Sequence, residues 1–124
     1  PTLVEILRKK FENNSNLKVF LGDFFAHKGK YDLIVEQTFF CALSPAMRQN
    51  YVSKMHQLLS GNGKLVGLLF NKTFEAGPPF GGSKKEYEQL FKDYFDIKIM
   101  ETCRNSIPPR AKSELFVEFE KKDL

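Results

Sequence analysis

Five short apolar runs along the chain predict β-strands, at 17–21, 31–36, 64–70, 97–103 and 115–120. Apolar residues that recur every three or four positions predict three helices, beginning near residues 2, 44 and 83. The predicted order is therefore α-β-β-α-β-α-β-β. Helices that alternate with buried strands are typical of an α/β domain, and the two successive strands at the end predict an antiparallel pair.

Polar residues at the predicted helix ends support these assignments. Thr2 with Glu5, and Ser83 with Glu86, have the spacing of a capping box, in which two side chains satisfy free N–H groups at a helix start. The Gly-Asn-Gly run at 61–63 predicts the end of the second helix, because glycine readily adopts the backbone conformation of a helix terminus.

The composition describes one ordinary globular domain over residues 1–124. Hydrophobic residues make up 42% of the chain and charged residues 27%, as in ordered proteins. The net charge is +4, but the basic residues are dispersed, so we predict no nucleic-acid partner; the apolar runs are too short for a membrane partner. Cys41 and Cys103 form no CxxC pair, which favours free thiols in the cytoplasm.

The end of the 31–36 strand is the most informative stretch for function. The strand is apolar on both faces and then changes abruptly to Glu36 and Gln37, followed by Phe39 and Phe40. Ligands of open α/β sheets bind beyond the carboxyl ends of the strands, so this stretch is a candidate ligand rim. Taken alone, however, phenylalanines at a strand end are more often core residues than ligand contacts.

Other candidate residues have plain structural interpretations when they are taken alone. Asp23 fits a turn, Arg110 fits a solvated loop, and the 77–82 run is too rich in proline for a phosphate-binding loop. Cys41 has no histidine at a local catalytic spacing, which favours a structural thiol over a nucleophile. The sequence shows no ligand spacing for a metal, so we predict no metal site.

Five short motifs spread over nearly the whole chain occur together: GDFF at 22–25, YDLI at 31–34, FFCAL at 39–43, GPPF at 77–80 and PR at 109–110. In combination they resemble the thiopurine S-methyltransferase-like family, most closely its thiol and halide methyltransferase branch. The resemblance implies a Rossmann-like, three-layer α/β sheet that ends in an antiparallel strand pair. It also implies S-adenosylmethionine as the cofactor and a small thiol or other soft nucleophile as the methyl acceptor.

The resemblance also implies roles for individual residues. Asp23 and Phe24 match positions that bind the adenine ring, and Glu36 and Gln37 match positions near the methionine part of the cofactor. The residues implied on the acceptor side are Phe39, Phe40, Pro79, Phe80 and Arg110. No catalytic side chain is implied, because a thiolate is already nucleophilic and the protein mainly positions the reactants.

Two parts of the family pattern are absent, namely the glycine-rich cofactor loop and the acidic residue that holds the ribose. The chain also starts at Pro1 and enters a helix at once, so we expect an N-terminally truncated methyltransferase domain that is inactive by itself. In the sheet of the family, two strands that are missing from this chain would lie between the 17–21 strand and the 31–36 strand. Because the link between these runs is too short for a parallel crossover, we expect a rearranged sheet or pairing with another copy.

Two questions stay open at the level of the sequence. Thiopurine enzymes usually carry an Asp-Arg pair where this chain has Glu36-Gln37, so the acceptor is not defined. The alternative to a methyltransferase is a non-catalytic α/β module that self-associates or binds a partner through open sheet edges.

Overall fold

The computed structural model describes residues 2–124 as a four-stranded sheet with three helices. The helices are α1 (Leu3–Lys10), α2 (Arg48–Leu58) and α3 (Lys84–Phe91), and the strands are β1 (Tyr31–Glu36), β2 (Leu59–Phe70), β3 (Phe95–Thr102) and β4 (Glu114–Lys121). The order in the sheet is β1-β2-β4-β3. Strands β1 and β2 are parallel, whereas β4 is antiparallel to both of its neighbours. The carboxyl ends of β1, β2 and β3 therefore lie at one edge of the sheet.

The prediction of a strand at 17–21 is wrong, because these residues belong to no strand in the structure. Phe20 and Leu21 are instead 65% and 76% exposed. A strand forms only where another strand accepts and donates its hydrogen bonds. The 22–30 link is shorter than the dozen or so residues that a parallel crossover to β1 requires. The segment therefore stays detached from the sheet.

The prediction that the glycine run at 61–63 ends a helix is also wrong in detail. Helix α2 already ends at Leu58, and β2 begins at Leu59, so the run lies inside the strand. Asn62 has a φ of 65°, a left-handed conformation that asparagine adopts readily. The pairing of β1 with β2 is irregular at this point, since Tyr31 lies opposite Leu59 but Leu33 lies opposite Lys64. The run thus forms an irregularity at the start of a long strand.

Helices α2 and α3 cover one face of the sheet and enclose a core rich in aromatic side chains. The largest fully buried residues include Tyr51, Tyr87, Phe40, Phe91, Phe95 and Phe119. Helix α1 starts at the predicted capping box, with Thr2 N–H donating to Glu5 over 2.9 Å and Glu5 N–H donating to Thr2 over 3.2 Å. Yet α1 has no buried residue, so its apolar face is left at the surface.

Because the Tyr87 hydroxyl is buried, we expect the protein to lose stability at alkaline pH. It donates a hydrogen bond to the Phe70 carbonyl, and burial raises the pKa of Tyr87 to about 12. The folded chain holds this proton more tightly than the unfolded chain, whose tyrosines titrate near 10. The stabilisation that comes from holding this proton is therefore fully present below about pH 10 and is lost as the pH rises from about 10 to about 12.

Urea unfolding of Tyr87→Phe and the unsubstituted protein should show this difference. The variant should lose less stability than the unsubstituted protein between about pH 9 and about pH 11, because it lacks the titrating phenol. Equal losses in the two proteins over that range would contradict the assignment.

Candidate functional site at the carboxyl edge of the sheet

Glu36 ends β1 and anchors the turn that follows it. Its side chain is buried, and it accepts hydrogen bonds from Phe39 N–H at 3.0 Å, Phe40 N–H at 3.1 Å and the Tyr51 hydroxyl at 2.6 Å. Burial, and after it the Glu36 charge, raise the pKa of Tyr51 well above its usual value, so the hydroxyl keeps its proton. Gln37, the next residue, is exposed. Gln37 is thus the residue of the predicted ligand rim that a ligand can reach, and the buried Glu36 side chain holds the turn that follows it.

The predicted adenine residues lie beside this turn. Asp23 is exposed, and its Oδ1 atom accepts the Phe25 N–H over 2.9 Å at the start of a short 3₁₀ turn. Phe24, in that turn, packs edge-on against Phe39 with 4.9 Å between ring centroids. The structure therefore brings together two stretches that the sequence had indicated separately.

A cavity of about 310 Å³ opens beyond the carboxyl ends of β1 and β2. Its lining residues are Thr38, Cys41, Ala42, Phe70, Pro78, Pro79 and Arg110. Two of the residues predicted on the acceptor side, Pro79 and Arg110, therefore share one cavity. Thr38, Cys41 and Phe70 are lining residues that the sequence did not indicate for this role. Position was the signal for Thr38, which follows β1, and for Phe70, which ends β2, whereas Cys41 also lies in the FFCAL motif.

Arg110 is the cationic group of an otherwise largely apolar cavity. Its Nη1 atom lies 3.8 Å from Oε2 of Glu114, a carboxylate that is itself buried. The guanidinium group also lies 5.5 Å from the centroid of the Phe70 ring. These contacts hold the cation at the cavity wall and offset part of its charge.

Cys41 contributes a protonated thiol to the same wall. Burial raises the pKa of Cys41, and the nearby Glu36 carboxylate raises it further. A raised pKa reduces the thiolate fraction at neutral pH, and the thiolate is the reactive form. The arrangement is consistent with the structural role that the sequence favoured for this thiol.

Phe40 and Phe80 do not line this cavity. Phe40 is 2% exposed and lies in the core, with 5.0 Å between its ring centroid and that of Tyr51. Phe80 lines a separate depression of about 240 Å³. Its backbone N–H nevertheless donates to the Cys41 carbonyl over 2.7 Å, which joins the 77–82 loop to the turn after β1.

Arg48 is a further residue that supports the site. Its side chain is buried on α2, and its Nη2 atom donates to the Gly81 carbonyl over 2.6 Å. The guanidinium group also lies 4.7 Å from the centroid of Phe40. The residue therefore fixes the loop that carries Pro79. An isolated arginine at helical spacing from Tyr51 was the signal for this position in the sequence.

Residues 2–124 contain neither a cluster of metal ligands nor a helix that could cross a membrane. No three His, Cys, Asp or Glu side chains there lie close enough together to hold a metal ion. The helices in this part of the chain are all too short or too polar to cross a bilayer.

The fold is that of the class I S-adenosylmethionine-dependent methyltransferases. A TehB-like methyltransferase from Corynebacterium glutamicum has a TM-score of 0.73 at 15% identity, over 98% of this chain and 64% of that one. The Burkholderia thailandensis 1,6-didemethyltoxoflavin-N1-methyltransferase, solved with S-adenosylhomocysteine, has a TM-score of 0.75 at 15% identity, over 99% and 58% of the two chains. At these identities the likeness shows the fold alone, and it confirms the predicted fold class.

The chain belongs to the thiopurine S-methyltransferase family, whose sequence pattern it matches over residues 1–122. Probable thiol methyltransferase 2 of Arabidopsis thaliana is 39% identical over 95 residues, which make up 72% of this chain and 42% of that protein. Thiocyanate methyltransferase 1 of the same plant is 31% identical over 86 residues, or 68% and 38% of the two chains. The chain spans about half the length of these relatives. The family uses S-adenosylmethionine, as the resemblance implied.

Proposed function

We propose that this chain is part of a methyltransferase that transfers a methyl group from S-adenosylmethionine to a small thiol or another soft nucleophile. One observation carries the proposal: an apolar cavity with a single guanidinium group lies beside the Asp23, Phe24 and Phe39 cluster at the carboxyl edge of the sheet. The names of the thiol and thiocyanate methyltransferases among its relatives support the acceptor class.

The residues at the edge of β1 fit parts of the cofactor. Asp23 is exposed and uses one carboxylate oxygen in its own turn, so the carboxylate can also accept from an adenine amine. Phe24 offers a half-buried aromatic surface for the ring, and Gln37 offers an amide for the amino acid part. The isolated chain has no glycine-rich loop to cover the opposite side, so we infer that it is inactive alone.

The residues of the cavity fit a soft, anionic acceptor. Pro79 and Phe70 exclude water, and the Arg110 guanidinium attracts negative charge. When bound, the cofactor supplies a methyl group on a sulfonium sulfur. A thiolate needs no general base, so positioning can contribute on the order of 7–11 kcal/mol to lowering the barrier. The Cys41 thiol stays protonated and does not compete as a nucleophile.

We also propose that the protein works in the cytoplasm. Both cysteines, Cys41 and Cys103, are free thiols in the structure. Free thiols persist in reducing compartments, which supports this location.

Titration with S-adenosylhomocysteine, followed by amide-resolved NMR, tests the proposal. We expect saturable shifts centred on Asp23, Phe24, Gln37 and Phe39. Asp23→Ser should weaken binding by about tenfold or more, because serine can still cap the turn but offers no carboxylate to the adenine amine. Asp96→Ser, at an exposed position on β3, is the matched control and should bind as the unsubstituted protein does. No saturable shift in a folded sample would rule out cofactor binding by this chain.

A second candidate function is a non-catalytic module that binds a protein partner through the open edge of the sheet. The observation that favours it is the exposure of β1, where Leu33 is 56% and Val35 is 74% exposed. A module of this kind needs no cofactor, so the titration with S-adenosylhomocysteine distinguishes it from a methyltransferase.

A further inference from the structure

A second cavity lies on the far side of the sheet from β1, beyond the carboxyl end of the edge strand β3. It has a volume of about 470 Å³ and is formed by the end of β3 and the 103–113 loop, which leads to β4. Polar side chains of Thr102, Arg104, Ser106 and Lys112 line it. None of its lining residues also lines the cavity that holds Arg110, so the two cavities are separate.

Two cations in this lining are not paired within the fold. Arg104 and Lys112 are exposed, and neither forms an ion pair with a carboxylate of residues 2–124. The 103–113 loop contains no acidic residue, and Glu101 is the one carboxylate among the lining residues. The cavity therefore has a net positive charge. Cations that share one cavity attract an anion and raise its local concentration.

A hydroxyl group in the same lining also has no partner. The Oγ atom of Ser106 is buried, and no hydrogen-bond partner for it lies within residues 2–124. A buried hydroxyl without a hydrogen bond is unfavourable, so this group gains free energy from any ligand atom that accepts its proton. Ser106 is half-buried at the cavity wall, and serine has three staggered rotamers. A change of rotamer would turn the hydroxyl towards a ligand in the cavity.

The backbone of the loop holds Lys112 at the cavity in an unfavourable conformation. Its φ is 66°, in the left-handed region that lysine seldom adopts. On one side of it, the Ala111 N–H donates to the Pro108 carbonyl over 3.2 Å. On the other side, the Ser113 N–H donates to the Arg110 carbonyl over 3.0 Å. Residues held in such conformations are concentrated at functional sites, which agrees with a ligand-binding role for Lys112.

We propose that this cavity binds a small molecule by its oxyanion group, a carboxylate or a phosphate, through Arg104, Lys112 and the Ser106 hydroxyl. A guanidinium group can form two parallel hydrogen bonds with either oxyanion, and an ammonium group adds a compact positive charge. The volume of about 470 Å³ lies in the range of small-molecule sites, about 300–1,000 Å³, so we expect the oxyanion to belong to a larger organic molecule. The site does not depend on the proposed methyl transfer.

Amide-resolved NMR titrations with inorganic phosphate and with acetate test the site. The pH is held constant, and chloride keeps the ionic strength constant so that screening does not change. We expect saturable shifts centred on the amides of Arg104, Ser106 and Lys112 with at least one of the two ions. Saturation by phosphate alone would assign a phosphate group to the ligand, and saturation by acetate alone would assign a carboxylate. Shifts that do not saturate with either ion, or that centre elsewhere, would overturn the proposal.

Substitution of the two cations tests whether they hold the ion. Arg104→Met should raise the dissociation constant of the bound ion about tenfold or more, because a charge-assisted hydrogen bond is lost. Lys112→Asn should also raise it, since asparagine keeps the left-handed turn but carries no charge. Arg8→Met, the same change as at Arg104 but at an exposed position on α1, is the matched control and should bind as the unsubstituted protein does. Unchanged binding in Arg104→Met, or an equal increase in Arg8→Met, would contradict the site.

Ser106→Ala separates a ligand contact from a structural role. It should raise the dissociation constant about threefold or more, because the ion loses a hydrogen-bond donor. It should not lower the stability measured by urea unfolding, because the hydroxyl has no partner within residues 2–124 to lose. A loss of stability with unchanged ion binding would show that Ser106 serves the fold and not the ligand. Since the two cavities share no lining residue, failure of this site would leave the outcome of the cofactor titration unaffected.

Discussion

Replacing Phe119 by alanine should lower the free energy of unfolding by about 3–5 kcal/mol, the largest effect we expect from any single substitution here. Phe119 lies on β4 between β2 and β3, opposite Leu65 and Ile97, and is fully buried. Its ring centroid lies 4.6 Å from that of Phe91 on α3. Truncation would leave a cavity where the helices meet the middle of the sheet, and close-packed neighbours refill such a cavity only in part.

Phe116→Ala is the control, because it makes the same chemical change on the same strand. Phe116 is half-buried on the opposite face of the sheet, which α2 and α3 do not cover. We expect it to cost about 1 kcal/mol, since a half-exposed side chain transfers less surface from water. Urea unfolding at equilibrium measures both losses. Similar losses for the two variants would mean that the core does not lie between the helices and the face of the sheet that carries Phe119.

Glu36→Gln should have the second largest effect, a loss of about 2–4 kcal/mol. The carboxylate accepts hydrogen bonds from two backbone N–H groups and the Tyr51 hydroxyl, and it is 4% exposed. A glutamine has the same shape but only one acceptor oxygen. Its NH₂ group would therefore face donors, and at least one buried donor would lose its partner.

The same substitution on the surface gives the control. Glu118 is partly exposed and pairs with Lys64 at 3.7 Å, and exposed pairs of this kind contribute about 0–1 kcal/mol. Glu118→Gln should therefore change stability little. If Glu36→Gln were equally mild in urea unfolding, the buried network would not hold the turn after β1.

Tyr51→Phe tests how much of the stability contributed by the Glu36 hydrogen bonds comes from the Tyr51 hydroxyl. Removing the hydroxyl leaves Glu36 with its two N–H donors, so we expect a smaller loss of about 1–2 kcal/mol. In the Glu36→Gln background the same change should cost less, because the two residues share one hydrogen bond. Equal costs in both backgrounds would show that Tyr51 and Glu36 act independently.

The sequence by itself determined the elements whose signals are local. The capping box at Thr2 and the apolar run of β1 depend on neighbouring residues alone, and both occur where they were predicted. The antiparallel pair of β3 with β4 was also predictable, because successive strands commonly pair. The combination of short motifs identified the family, since such a combination needs no knowledge of contacts.

Only the tertiary structure decided the features that depend on partners distant in sequence. The 17–21 run has the composition of a strand but pairs with no strand in the sheet, so it forms no strand and stays largely exposed. Glu36 looks like a rim residue in sequence, yet the Tyr51 hydroxyl, 15 positions further on, holds it inside. Arg110 joins the cavity because β4 runs back beside β2 and places it against Phe70. Local patterns specify the conformation of a segment, whereas burial and hydrogen bonding with distant residues specify what it contacts.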